Sequence, residues 1–230
     1  MDPSNFPNDC KGWGSRDPYL SEVVSAVRPK IILEVGTWKG ASAIYMAECC
    51  EAEEILAEII CVDPHIGSAG LWLHNQEAMY PQNNGQCGTY EVFLANVKRH
   101  ELTNVITPFR ATASIATAVM LQLGIQPDLV FIDGSHDEID VSTDLTHVEK
   151  VLHQDSVIVC DDYGHPRITG VTNAVNSFLN SKNCFTLAVS GDIPLDLYTE
   201  KVVNGETAKK AVLTYQEGRY TNALNKLSCR

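Results

Sequence analysis

Short apolar runs and longer amphipathic stretches take turns along this chain. The apolar runs at 31–35, 59–62, 105–109, 128–132, 156–160, 185–189 and 197–202 have strand length and draw on Val, Ile and Leu. Between them, 41–50, 90–99, 114–123, 139–152 and 171–180 carry apolar residues at helical spacing. Alternation of this kind predicts an α/β fold. The expected form is a Rossmann-like, doubly wound sheet, mostly parallel with an antiparallel last strand and helices on both faces.

Two stretches break the rhythm. Residues 64–89 hold Gly67, Gly70, Pro81 and Gly88, yet also Trp72, Met79 and Tyr80. A loop that long inside a compact domain is either a substrate lid, which the aromatics favour, or a surface insertion. Residues 206–230 include Tyr215 to Tyr220 and Ala223 to Leu227, which look like half of a tetratricopeptide repeat. One repeat cannot bury its own face. The expectation is therefore one domain over 1–205 and a helical tail over 206–230 that docks on it or on a second subunit. The alternative is the start of a longer repeat region.

Composition narrows the field. The 230 residues suit one α/β domain, and no apolar run approaches the length that crosses a bilayer. A formal net charge of −12 disfavours nucleic acid as a partner, because phosphate binding calls for a basic face. The first 17 residues lack a basic segment followed by an apolar one, so a cytoplasmic protein is expected. The eight cysteines form no CxxC pair and several, such as Cys61 and Cys160, lie in apolar runs. They read as reduced, structural thiols.

The chemistry gathers at the ends of the predicted strands. Glu34, Gly36, Thr37, Trp38, Gly40 and Ser42 stand where the first strand turns into the first helix, the switch region where doubly wound sheets bind ligands. Glycines at 36 and 40 let the backbone turn tightly and approach a ligand. This is not the GxGxxG of a dinucleotide fold. Glu34 repels phosphate and suits a cation, and S-adenosylmethionine carries an ammonium and a sulfonium without phosphate. Asp63 ends the second strand, where an acid can accept both ribose hydroxyls.

Asp133 and His136 follow the fourth strand, and Asp161 and Asp162 the fifth. Three carboxylates converging there call for a cation, and hard oxygen ligands suit Mg²⁺ or another divalent ion. Such an ion lowers the pKa of a bound hydroxyl. His136 has an ordinary pKa that suits a base at neutral pH. The plain alternative is that these acids and His136 cap helices and shape turns.

From Ile31 to Tyr163 the sequence resembles the class I methyltransferases. The pairing of FIDGSH with CDDY is similar to metal-dependent O-methyltransferases of the catechol, caffeoyl-CoA and macrolide-sugar types. The resemblance implies Mg²⁺ on Asp133, Asp161 and Asp162, with His136 as base. It implies a methionine contact at Glu34 and Gly36, ribose at Asp63 and adenine beside Thr112, Ala113 and Ser114. The Asp161-Asp162 pair departs from the Asp-Asn of catechol enzymes and points toward a small hydroxylated acceptor of sugar or natural-product type. Family analogy also suggests a homodimer. A methyltransferase without metal, a non-catalytic binding protein and, more weakly, a nicotinamide oxidoreductase remain open. His165 and Arg167 either face the acceptor or are solvated loop residues.

Overall fold

The computed structural model describes residues 2–10, 12, 15–74, 76–80, 86–190, 193–194, 207–216, 218–220 and 224. In chain order the elements are α1 (Pro18–Val27), β1 (Ile31–Val35), α2 (Ala41–Ala52), β2 (Glu58–Val62), α3 (Ala69–His74), α4 (Thr89–Arg99), β3 (Ile106–Phe109) and α5 (Ala113–Leu123). They continue with β4 (Leu129–Ile132), α6 (Glu138–Val148), β5 (Val157–Tyr163), α7 (Gly170–Ser181), β6 (Phe185–Val189), the two-residue β7 (Ile193–Pro194) and β8 (Thr207–Tyr215).

The sheet runs β3-β2-β1-β4-β5-β8-β6, with β7 paired to β8. β8 is antiparallel to both β5 and β6, while β3, β2, β1, β4 and β5 pair in parallel. The doubly wound expectation therefore holds. Strand order reverses at β1, which lies between β2 and β4, so a crevice opens beyond the carboxyl ends of β1 and β4.

Each face of the sheet carries its own core. Ile32, Phe131 and Val159 point to one side, packed by Val23 and Val24 of α1, Ile44 of α2 and Phe93 of α4. Their chain neighbours Leu33, Val130 and Ile158 point to the other, packed by Met120, Leu145 and Val175 of α5, α6 and α7. The pleat makes this division, because successive side chains leave a strand on opposite faces.

Helix α1 was not among the expected elements. Its signal was present nonetheless: Asp17 caps it by accepting from the Tyr19 N–H at 2.9 Å, and Pro18 takes the first helical position.

The helical reading of 206–230 needs correction, since its first part is strand β8. Ala211 and Leu213 join one core and Val212 the other, a period of two that suits a strand buried on both faces. Backbone groups on both sides of β8 are paired, to β5 and to β6. Further on, Leu224 is buried and Tyr220 packs against the same cluster. The strand expected at 197–202 lies outside the described residues.

Among the described residues seven cysteines are free thiols, with Cys61 and Cys160 buried as expected. No helix among the described residues is long and apolar enough to cross a membrane. Because Leu213 is wholly buried inside the sheet, Leu213→Ala is expected to cost about 2–5 kcal/mol in urea unfolding. A surface-docked tail would lose much less.

Candidate functional site

The Gly36–Gly40 turn is built by close approach. Gly36 has φ +88°, and a Cβ there would stand 2.3 Å from the Gly134 Cα. Glycine is thus required where the loops after β1 and β4 touch. Asp63, at the end of β2, holds the turn from the other side. Its Oδ2 accepts the backbone N–H of Thr37 at 3.0 Å and of Trp38 at 2.8 Å, and its Oδ1 accepts that of His65 at 2.6 Å. The residue expected to hold a ribose therefore also clamps the glycine turn.

Glu34 is fully buried at the end of β1. Thr37 donates its hydroxyl to it at 2.9 Å, Ser42 donates a second hydroxyl, and the Cys61 thiol lies 3.4 Å away. Burial pushes its carboxyl up to about 7 against the pull of these bonds. Thr112, Ala113 and Ser114 form the start of α5, where the hydroxyls of Thr112 and Ser114 bond at 2.8 Å.

On the acid side, β5 bulges after Cys160 and Asp162 takes a left-handed φ of 56°. Across it the two neighbouring acids take different partners. Asp162 turns to His136, whose Nε2 lies 2.9 Å from its carboxylate. Asp161 turns inward to Lys210 of β8 and accepts from its Nζ, while its Oδ1 also takes the Asp162 N–H at 2.9 Å. Lys210 is wholly buried, with Asp17 at 3.6 Å on another side. Burial works against its charge, but Asp161 and Asp17 more than offset that and hold the ammonium above its ordinary pKa.

Of the set Asp133, Asp161 and Asp162 expected for Mg²⁺, Asp161 is thus turned to Lys210. Ligand atoms of Asp133, His136 and Asp162 instead lie within 4.8 Å of one another. This mixed set contains an imidazole and suits a borderline cation better than Mg²⁺. Burial and the carboxylates of Asp161 and Asp162 raise Asp133 well above the usual range. The bond from Asp162 raises His136, against the desolvation of its partly covered ring. Although burial opposes it, that same bond holds Asp162 below the usual carboxylate range.

A cavity of about 840 Å³ joins the two halves, touching Gly36, Asp63, Ala113, Asp133, His136 and Asp162. His65 to Leu71 form one wall, and α3 lies within the stretch expected as a lid. His165, Arg167 and Ile168 form another. The His165 Nδ1 accepts the backbone N–H of Arg167 and of Ile168, each at 3.1 Å. Sequence reasoning missed Gly12 and Ser15 in the wall, and it missed Lys210. Only the lysine's place in an apolar stretch, ahead of Ala211-Val-Leu213, gave a hint.

A family model described as a methyltransferase domain matches residues 33–163. Solved structures share the fold at low identity. A putative O-methyltransferase from Klebsiella pneumoniae has a TM-score of 0.59 at 17% identity, over 92% of this chain and 84% of that one. An O-methyltransferase from Bacillus cereus, in complex with S-adenosylhomocysteine, has 0.60 at 15%, over 92% and 85%. The O-methyltransferase TomG from Streptomyces achromogenes, in complex with S-adenosylmethionine, has 0.56 at 16%, over 86% and 78%. No curated protein matches in sequence.

The raised Glu34 carboxyl has a definite consequence for stability. Below its unfolded pKa of about 4.5 the residue is protonated in both states and nothing is lost. As pH rises to about 7 only the unfolded chain ionises, so stability falls and then levels off. Glu34→Gln is therefore expected to stabilise the ligand-free protein at pH 8, by up to about 3 kcal/mol, and to change little at pH 4. Thermal melts at the two pH values check this.

Proposed function

We propose that this chain, which belongs to the methyltransferase-domain family, moves a methyl group from S-adenosylmethionine to a hydroxyl of a small molecule, with His136 taking the proton. The observation that carries it is the 2.9 Å contact of His136 with Asp162 at the cavity wall, beside Asp133. The two O-methyltransferases whose structures hold the cofactor or its product share this fold. They support the choice of cofactor.

The cofactor supplies an electrophilic methyl on a sulfonium, which leaves as a thioether. The chain's residues do the rest. Glu34 offers a buried acid to an ammonium, and that charge would stabilise the ionised form that burial disfavours. Asp63 keeps the glycine turn in shape and has acceptor capacity toward ribose hydroxyls. Asp162 orients His136 and stabilises its protonated form, as an acid does behind a general base. The hydroxyl oxygen attacks the methyl carbon as its proton passes to the imidazole. A wall that includes Ile66, Leu71 and Ile168 beside His165 and Arg167 suits an acceptor with both apolar and polar parts, of natural-product or sugar type.

A second reading follows from the convergence of Asp133, His136 and Asp162. They would hold a divalent cation that acidifies the bound hydroxyl. Methyl transfer that withstands EDTA supports the first reading, and transfer lost to EDTA and restored by a divalent salt supports the second.

His136→Gln is expected to lower the rate of transfer by about 10²–10⁴ while S-adenosylhomocysteine still binds by calorimetry. The wild-type rate should rise with pH through the raised pKa of His136 and then level off, because only neutral imidazole accepts the proton. Asp162→Asn should move that limb to lower pH. A His136→Gln enzyme as fast as wild type would remove the proposal.

A further inference from the structure

We propose that Lys210 is the resident cation of the acid cluster: its ammonium takes Asp161 out of use as a metal ligand and supplies the positive charge that a divalent ion would otherwise bring. The inference rests on the dyad reading of this site and deepens it.

Lys210 is enclosed. Its Nζ donates to Asp161 on β5, lies 3.6 Å from the Asp17 carboxylate at the start of α1, and stands 5.5 Å over the Phe131 ring of β4. Asp133, just after β4, and Asp162 also act on it, and the Ser190 hydroxyl accepts its backbone N–H at 2.8 Å. A long cation on an exposed strand would be free to swing into water. Here the side chain is wholly buried between opposite charges contributed by separate elements. Such a pair persists only where hydrogen bonds replace the lost hydration.

The oxygen that holds the ammonium does a second task. Asp161 Oδ1 also accepts the Asp162 N–H at 2.9 Å, inside the bulge that turns Asp162 toward His136. Metal coordination through this oxygen would have to displace an ammonium and an amide together. An ion approaching Asp133 and Asp162 would also meet a fixed positive charge close behind them, and the repulsion scales with the product of the charges. Asp161 is thus balanced by Lys210 and Asp162 by His136 when the latter is protonated. That leaves Asp133 as the cluster's unbalanced acid.

The test is a titration of the full chain with MnCl₂, with S-adenosylhomocysteine binding as the report of folding. Wild type and Lys210→Arg are expected to show no saturable Mn²⁺ uptake. Lys210→Met should take up Mn²⁺ saturably, with a dissociation constant at least about tenfold below the highest Mn²⁺ concentration tried on wild type, and melt at higher temperature with it. Adding Asp161→Asn to Lys210→Met should remove the gain. Mn²⁺ uptake by wild type that disappears in Asp161→Asn overturns the proposal, as does a folded Lys210→Met that ignores Mn²⁺. If Lys210→Met folds only with Mn²⁺, that rescue is the expected gain; if it folds under neither condition, the wild-type titration decides. Because cation uptake is read without turnover, its failure is separable from loss of the dyad reading, which EDTA-sensitive methyl transfer would bring.

Discussion

Everything at this site depends on the contact between two backbone turns at the point where the strand order reverses. β1 and β4 are parallel neighbours with Val35 opposite Ile132, and the Asp133 N–H donates to the Val35 carbonyl at 2.9 Å. One residue later Gly36 meets Gly134 so closely that a side chain on Gly36 has no room. The turn expected to face the cofactor and the loop that carries Asp133 and His136 are consequently one unit. A shift in either would move the other, which is the kind of coupling a methyl donor and acceptor demand, since their reacting atoms must meet in line. A second close approach extends the unit, because a Cβ on Gly170 at the start of α7 would stand 2.2 Å from the His136 carbonyl oxygen.

Charge is the second constraint. Parallel strands ending side by side place Asp133, Asp161 and Asp162 near one another, and burial makes their mutual repulsion stronger. The antiparallel β8 contributes Lys210 from the opposite direction, and the loop after β4 contributes His136. Across the bulge in β5 each acid takes its own partner. Without that irregularity two successive residues would point to opposite faces of the sheet. The left-handed φ of Asp162 is the conformational cost of the allocation.

The sequence made most of the frame legible, for physical reasons that also explain the misses. Buried parallel strands read as continuous Val, Ile and Leu runs, so β1, β2 and β4 stood out with their terminal acids attached. β8 did not, because Lys209 and Lys210 precede its apolar half and read as a solvated edge, while the Tyr215 to Leu227 spacing suggested a helix. Of the site, Asp133, His136, Asp161 and Asp162 were singled out by their strand-end positions, and the structure brings Asp133, His136 and Asp162 together. The fate of Asp161 was not readable. Its partner is 49 residues away in sequence, and which of two adjacent acids faces the cavity depends on a bulge that no local pattern encodes.

The end of the cavity proposed for the acceptor is harder still to read, because irregular chain builds it and side chains hold that chain in place. Asp9 accepts from Lys39 of the glycine turn at 2.6 Å and from the Tyr80 hydroxyl, and its backbone carbonyl takes the Asn96 amide of α4 at 2.8 Å. Arg99 of the same helix donates to the carbonyls of Pro3, Phe6 and Pro7. The segment before α1 and the stretch after β2 are therefore tied together beside the glycine turn, and Gly12 and Ser15 reach the cavity wall. None of these bonds follows a helical or strand period, so no pattern in the sequence announces them. The parts of the protein proposed to choose the acceptor are set by individual long-range bonds, whereas the parts proposed to hold the methyl donor are set by the regular sheet beneath it.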